Sequence, residues 1–167
     1  MRIIAGLAKG RSIQGPGNVE GVRPTSDRVR ESLFNVLGQW LDGCRVLDLF
    51  AGTGALGLEA WSRGATHVTF VDVDLTWAKK NAETLQAPAT FLQLPALKAV
   101  EKLKRQGEQF DLAFADPPYA LEAAAELVPL LLPLAKTVVF EHGKREKVPE
   151  PFDQRRFGDT VISIYKG

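Results

Sequence analysis

From residue 45 onward the chain alternates short apolar runs, rich in β-branched and aromatic residues, with stretches of helical periodicity. This alternation constrains the fold more than any other feature. Runs at 45–50, 67–72, 90–93, 110–115 and 137–141 read as strands, and 55–63, 75–86, 96–106 and 121–132 as helices. Strands separated by helices lie parallel, because the crossover returns each one in the same direction, and the helices then cover both faces. The tail breaks this rhythm. Extended runs at 154–157 and 160–165 flank Gly158-Asp159, a hairpin signal. The expected architecture is α/β: a doubly wound, mostly parallel sheet of seven strands.

The first 44 residues stand apart. Runs at 2–4 and 11–13, joined through Gly6 to Gly10, predict a β-hairpin, and a Gly/Pro-rich loop follows to Pro24. Thr25 or Ser26 can cap a helix whose apolar stripe is Val29, Leu33, Val36, Leu37, Trp40 and Leu41. Arg28, Arg30 and Glu31 lie off that stripe and are expected to face solvent or a partner. The organisation read here is a basic opening, 1–25, on a body, 26–167. The first 30 residues hold six basic side chains against Glu20 and Asp27, although the whole chain carries only +1. A basic arm on a mildly acidic body suits a polyanionic partner.

Ligands of such sheets bind beyond the carboxyl ends of the strands. After the first strand comes Asp48-Leu49-Phe50-Ala51-Gly52-Thr53-Gly54-Ala55-Leu56-Gly57. Glycines allow a tight turn and close ligand approach, and the helix that opens there favours an anionic group. Asp72 ends the second strand, placed to accept both hydroxyl protons of a ribose. Together these residues predict an adenosine-bearing cofactor. The spacing fits NAD and S-adenosylmethionine equally.

After the fourth strand stands Asp116-Pro117-Pro118-Tyr119. The prolines fix the backbone and offer no competing N–H. The Asp116 carboxylate and the Pro117 carbonyl thus form a rigid acceptor pair for a planar NH₂ group, and Tyr119 offers a flat face for stacking a heteroaromatic ring. Gripping both amine protons aims the nitrogen lone pair, and the carboxylate stabilises the positive charge that nitrogen gains as it attacks a methyl group. The pair fits the exocyclic amine of any base.

Composition sets the remaining bounds. With 167 residues, 45% hydrophobic and 25% charged, the chain is an ordinary globular mixture of one domain. Cys44 alone permits no internal disulfide, and His67 and His142 are too few for a multi-histidine metal site, so a metal-free protein is expected. The apolar stretch 127–135 contains Pro129 and Pro133 and is too short for a membrane span, and Met1 to Gly6 lacks a signal-peptide core; a cytoplasmic location is expected.

The two strand-end loops together resemble those of amino-methyltransferases that use S-adenosylmethionine. More narrowly, Arg2-Ile3-Ile4-Ala5-Gly6, Gly10-Arg11, the run Arg23-Pro24-Thr25-Ser26-Asp27-Arg28 and its continuation to Asn35, and Gly54 to Ala60 with Ser62-Arg63-Gly64-Ala65 resemble the RsmD-type methyltransferases, which modify guanine N2 in small-subunit ribosomal RNA. The resemblance implies a Rossmann-like, seven-stranded methyltransferase fold with an N-terminal hairpin and helix extension. It implies cofactor contacts at Asp48, Phe50, Ala51, Gly52, Thr53, Gly54, Asp72 and Val73, with Pro95 and Ala96 after the third strand. It implies amine contacts at Asp116, Pro117, Pro118 and Tyr119. Ribosomal RNA or the small ribosomal subunit would be met by Arg2, Lys9, Arg11, Arg23, Thr25, Arg28 and Arg30, by a protein expected to be a monomer. Three positions depart from the family pattern. Asp72 stands where the family usually has Glu, Leu94-Pro95-Ala96 replaces an acid beside the adenine amine, and Ala8 replaces an aromatic. The alternatives are a DNA adenine-N6 or cytosine-N4 methyltransferase and an RNA-binding module with a vestigial cofactor pocket.

Overall fold

Whole runs of apolar residues on adjacent strands leave little choice but to pair in the middle of a covered sheet, and the chain does so. The computed structural model describes residues 1–17, 27–118 and 121–167. Its elements are α1 (Asp27–Leu37), β1 (Arg45–Leu49), α2 (Ala55–Ser62), β2 (His67–Asp72), α3 (Thr76–Leu85), β3 (Ala89–Gln93), α4 (Ala96–Arg105), β4 (Phe110–Ala115), α5 (Ala124–Leu131), β5 (Ala135–Gly143), β6 (Asp153–Phe157) and β7 (Thr160–Lys166). The seven strands lie in the order β3-β2-β1-β4-β5-β7-β6. Strands β1 to β5 pair in parallel, and β7 inserts antiparallel between β5 and β6. The expected doubly wound sheet with a terminal hairpin is what forms. Among the described residues no helix is long and apolar enough to cross a membrane.

Side chains alternate across the sheet with period two, so each strand feeds two cores. Val46, Val68, Phe70, Leu112, Phe114 and Val139 point to one face, where they meet Leu33 and Phe34 of α1, Leu58 of α2 and Ala78, Ala82 and Leu85 of α3. Leu47, Leu49, Val71, Ala113, Ala115, Val138 and Phe140 point to the other, beneath α4 and α5. The N-terminal hairpin belongs to the first core, through Ile3, Ala8 and Ile13. The boundary expected between 25 and 26 lies outside the described residues.

The hairpin has less strand character than expected, with a single antiparallel bridge, Arg2 to Ser12. Backbone bonds from Ile3 to Arg11, Gly10 to Ile3 and Ile13 to Met1 also close it, while the groups at its turn reach α2. The Leu7 N–H donates to Ser62 O at 2.7 Å, the Ala8 N–H to Ser62 Oγ at 2.8 Å, and the Ile4 and Ala5 N–H groups to the Glu59 carboxylate at 2.9 and 3.2 Å. A Cβ at Gly6 would sit 1.8 Å from Ser62 O, so only glycine permits this contact. Ala8 faces the core, which removes its position from any stacking role in the hairpin.

Helix α1 is rotated relative to the stripe read from the sequence. Its buried residues are Arg30, Leu33 and Phe34, whereas Val36 is exposed. The helix ends at Leu37 and Gly38 turns away at φ 103°, leaving Trp40 outside it and 62% exposed. Arg30, expected to face solvent or a partner, is 0% exposed. Its guanidinium donates to Glu59, to Arg2 O and to Asp27, and these bonds draw it inward.

Candidate active site

The strand order reverses direction between β1 and β4, which opens a crevice at their carboxyl ends. Register fixes what lies there. Leu49 of β1 is level with Val71 of β2 and with Ala115 of β4. Phe50, the next residue, is therefore flanked by Asp72 on one side and Asp116 on the other. The two acids singled out on sequence grounds border one crevice, on opposite sides of the glycine loop.

The loop turns sharply. Phe50 adopts φ 63°, a left-handed conformation that costs a non-glycine residue about 1 kcal/mol. Gly52 follows at φ 57° and is open above, since a Cβ there would meet nothing within 4 Å. The Ala51 N–H holds to Val71 O at 3.0 Å, and Gly54 caps α2. At Gly57 the need is close packing: a Cβ would come within 2.7 Å of both Phe70 and Val68. The loop is thus pressed onto β2 from below and left accessible from above, as an anionic ligand at a helix start requires.

The Asp72 carboxylate is half-buried. Its Oδ2 accepts the Gly52 N–H at 2.9 Å and its Oδ1 the Val73 N–H at 2.7 Å. A carboxylate has about four acceptor positions, so two stay open for the hydroxyls of a ribose. The same group therefore ties the glycine loop to β2 and keeps acceptor capacity for a ligand. Beyond it Val73 is exposed, and Leu94 and Pro95 follow the neighbouring strand, with Pro95 capping α4 and Ala96 half-buried behind it. These apolar side chains suit a flat ring.

Asp48 corrects an expectation. It is 2% exposed and lies under α2, with Oδ2 accepting the Gly57 N–H at 2.9 Å. It supports the loop from beneath and is closed off from a ligand. Burial pushes its carboxyl up to about 8; the Gly57 hydrogen bond pulls the other way, and Asp72 nearby adds to the rise. A raised carboxyl pKa means the folded state holds a proton that the unfolded chain releases from about pH 4 upward. Stability from this group therefore falls as pH rises from about 4 to about 8, by up to about 1.4 kcal/mol per unit. Asp48→Asn, which keeps an acceptor for Gly57, is expected to flatten that slope and to unfold at higher urea than the parent at pH 8. Denaturant unfolding between pH 5 and 8.5 checks it; parallel curves for the two proteins would refute it.

On the other side, Asp116 is half-buried, Pro117 buried and Pro118 exposed. The Asp116 N–H reaches Leu49 O at 3.4 Å, which tethers this loop to the end of β1, and the Leu121 N–H closes a turn on Pro118 O at 3.0 Å. Tyr119 lies outside the described residues.

Of the arm residues, Arg2, Lys9, Arg11 and Arg28 are exposed, Arg2 donating to Gly10 O at 2.9 Å and Arg11 to Thr84 O at 3.4 Å. Arg30 is withdrawn into its pair with Glu59 and is not available to a partner. Arg23 and Thr25 lie outside the described residues. Two residues escaped the sequence reading. Glu59 and Asn81 are polar residues on buried helix faces, and both bind the hairpin to the cofactor side of the molecule. Their position among Leu58 and Ala60, and between Ala78 and Ala82, was the available signal.

A cavity of about 540 Å³, lined by Lys79, Ala82, Pro88 and Phe91, opens where β3 begins, at the edge of the sheet away from the crevice.

The description "Conserved hypothetical protein 95" belongs to the family whose model matches residues 1–166. The Ribosomal RNA small subunit methyltransferase D of Haemophilus influenzae is 43% identical over 136 residues, which cover 78% of this chain and 70% of that protein. Its namesake from Escherichia coli K12 is 39% identical over 134 residues, covering 78% and 66%. A solved hypothetical protein of Thermus thermophilus superposes with a TM-score of 0.86 at 31% identity, over 100% of this chain and 99% of that one. A model match that runs from the hairpin through the crevice to the last strand settles the kinship: the chain belongs to the conserved hypothetical protein 95 family, that of the RsmD-type methyltransferases.

Proposed function

We propose that this chain methylates an exocyclic amine in small-subunit ribosomal RNA, with guanine N2 as the acceptor. One observation carries the reading: Asp72 and Asp116 border the glycine loop from the strands on either side of β1, so a cofactor grip and an amine grip share one crevice. The choice of guanine over other amino bases rests on the resemblance to the RsmD family.

S-adenosylmethionine is the cofactor. The residues fit it: Asp72 keeps acceptor capacity for ribose hydroxyls, the open face above Gly52 admits a carboxylate at the start of α2, and Val73, Leu94 and Pro95 offer apolar surface to an adenine. Bound there, it supplies a methyl group on a positively charged sulfur, an electrophile that needs no further activation. The work of the chain is positional. Asp116 and the Pro117 carbonyl accept the two amine protons and turn the nitrogen lone pair toward the methyl carbon. The Asp116 carboxylate would stabilise the positive charge that the amine nitrogen gains on accepting the methyl group. The surplus proton on nitrogen then leaves to water. The target base must leave its stack to enter the crevice, and Arg2, Lys9, Arg11 and Arg28 bind phosphates around it, with Arg23 and Thr25 as further RNA contacts. The chain acts as a monomer in the cytoplasm.

The test is transfer of a labelled methyl group to small ribosomal subunits from cells lacking this activity, followed by nucleoside analysis. N2-methylguanosine is the expected product. Label in adenine or cytosine, or transfer to DNA in preference to RNA, would overturn the reading.

A further inference from the structure

We propose that Asn81 is a positioning residue, locking the exit of the N-terminal hairpin at Gln14 to the cofactor loop, so that filling the loop and immobilising the hairpin exit become one event. For the cofactor half this rests on the crevice alone; for the RNA half it rests on the function proposed above.

Asn81 lies on α3 between Ala78 and Ala82 and is 3% exposed. An amide there is costly unless it is fully hydrogen-bonded, and an apolar residue would fill the face without that cost. Its bonds are divided between two distant segments. Oδ1 accepts the Gln14 N–H at 2.9 Å, while Nδ2 donates to Gln14 O at 2.8 Å and to Thr53 O at 2.9 Å. Both amide protons are used, one on each segment.

The Thr53 bond fixes a particular peptide plane. The carbonyl of the Thr53–Gly54 peptide is held by Asn81, and its N–H donates to Ala51 O at 2.8 Å. This plane sits in the turn that receives the ligand, so rotating it would redirect the loop's donors. The Gln14 bonds put the hairpin exit under the same control. The exit also approaches the loop directly, because a Cβ on Gly15 would be 3.0 Å from Thr53 Cγ2.

The hairpin is held on α2 as well, by Glu59, which accepts the Ile4 and Ala5 N–H groups, and by Arg30 of α1, which is bonded to Glu59 and to Arg2 O. The hairpin is thereby attached to the two helices that flank the cofactor loop. A ligand that immobilises the Thr53–Gly54 peptide immobilises Gln14 as well, and RNA on Arg2, Lys9 and Arg11 of the hairpin then meets a segment with less freedom left to lose. The coupling is reciprocal: RNA on the arm tightens the cofactor by the same factor.

Amide hydrogen exchange of the full chain, with and without saturating S-adenosylhomocysteine, tests the lock without RNA. In the parent, exchange in the 11–17 peptide is expected to slow by about five-fold or more, the low end of ordinary coupling between sites. In Asn81→Asp, Oδ1 still accepts from Gln14 but an oxygen faces two carbonyls, and the protection should vanish although the ligand still binds. Equal protection in parent and variant, or none in the parent, would overturn the proposal. If Asn81 variants fail to fold, Gly15→Ala, which presses on Thr53, should reduce the protection, and an unchanged value would again overturn it. The second readout is cofactor affinity with and without small-subunit RNA. The parent ratio should be about five-fold or more and the Asn81→Asp ratio near one. A purely structural role would weaken both affinities and leave the ratio unchanged, which counts against the proposal. Protection without any RNA effect in the parent supports the lock and counts against the RNA reading.

Discussion

Asp116→Ala is expected to lower methyl-transfer turnover by about 10²–10³-fold while cofactor affinity stays within about two-fold. The carboxylate stands at the carboxyl end of β4, across Phe50 from the ribose grip, and its backbone is tethered to β1 through Leu49 O at 3.4 Å. Removing it takes away one of the two acceptors proposed for the amine and the negative charge proposed to face the nitrogen as that nitrogen becomes positive. The cofactor grip keeps its own bond, from the Gly52 N–H to Asp72 at 2.9 Å. Single-turnover rates together with S-adenosylhomocysteine titration separate the two effects. Asp116→Asn keeps the shape without the charge and should fall between parent and alanine. Unchanged turnover in the alanine variant would remove Asp116 from the mechanism.

The second large effect concerns stability. Glu59→Ala should destabilise the chain by about 3–5 kcal/mol, since it leaves buried charge without a partner. Glu59 accepts from Arg30 at 3.1 Å, from Arg63 at 2.9 Å, and from the Ile4 and Ala5 N–H groups. Both guanidinium groups are buried, and the Arg63 guanidinium also lies 4.7 Å from the Phe34 ring centre. Losing the carboxylate therefore loosens α1 and the hairpin together. Against a typical total of about 5–15 kcal/mol this is a large fraction. Denaturant unfolding measures it, and a loss under about 1 kcal/mol would show that the hub is not holding these elements.

The strands legible in advance are those buried along most of their length. β2 and β4 have the bounds expected, 67–72 and 110–115, because each has a buried, mostly apolar centre between breaks. β5 extends further than its apolar centre, to Ala135 and Gly143, since pairing with β4 and β7 recruits Ala135, His142 and Gly143 into the ladder. α5 starts at Ala124, later than expected, because Leu121 closes a turn on Pro118 and Glu122 takes φ 43°. α1 departs from expectation in rotation: periodicity ranks Arg30 as polar, and only the presence of Glu59, 29 residues away, makes it a core residue.

The same distinction runs through the site. Asp72 and Asp116 are visible in the sequence because a strand directs whatever follows it to the sheet edge, so local sequence determines their place. Asn81 is not, because its partners Gln14 and Thr53 are 67 and 28 residues away, and a lone amide in a helix carries no sign of them. Asp48 stands out in the sequence, but its role differs from the one the resemblance implies. Strand alternation places its side chain on the face covered by α2, below the loop it supports.

The account stands on cofactor and amine sharing one crevice between β1 and β4. The structure of the chain with bound S-adenosylhomocysteine tests this most directly. The expected result has the ribose hydroxyls on Asp72 and the sulfur turned toward Asp116 and Pro117. A ligand seated in the cavity beside Lys79 and Phe91, or one in the crevice with its sulfur directed away from Asp116, would contradict it.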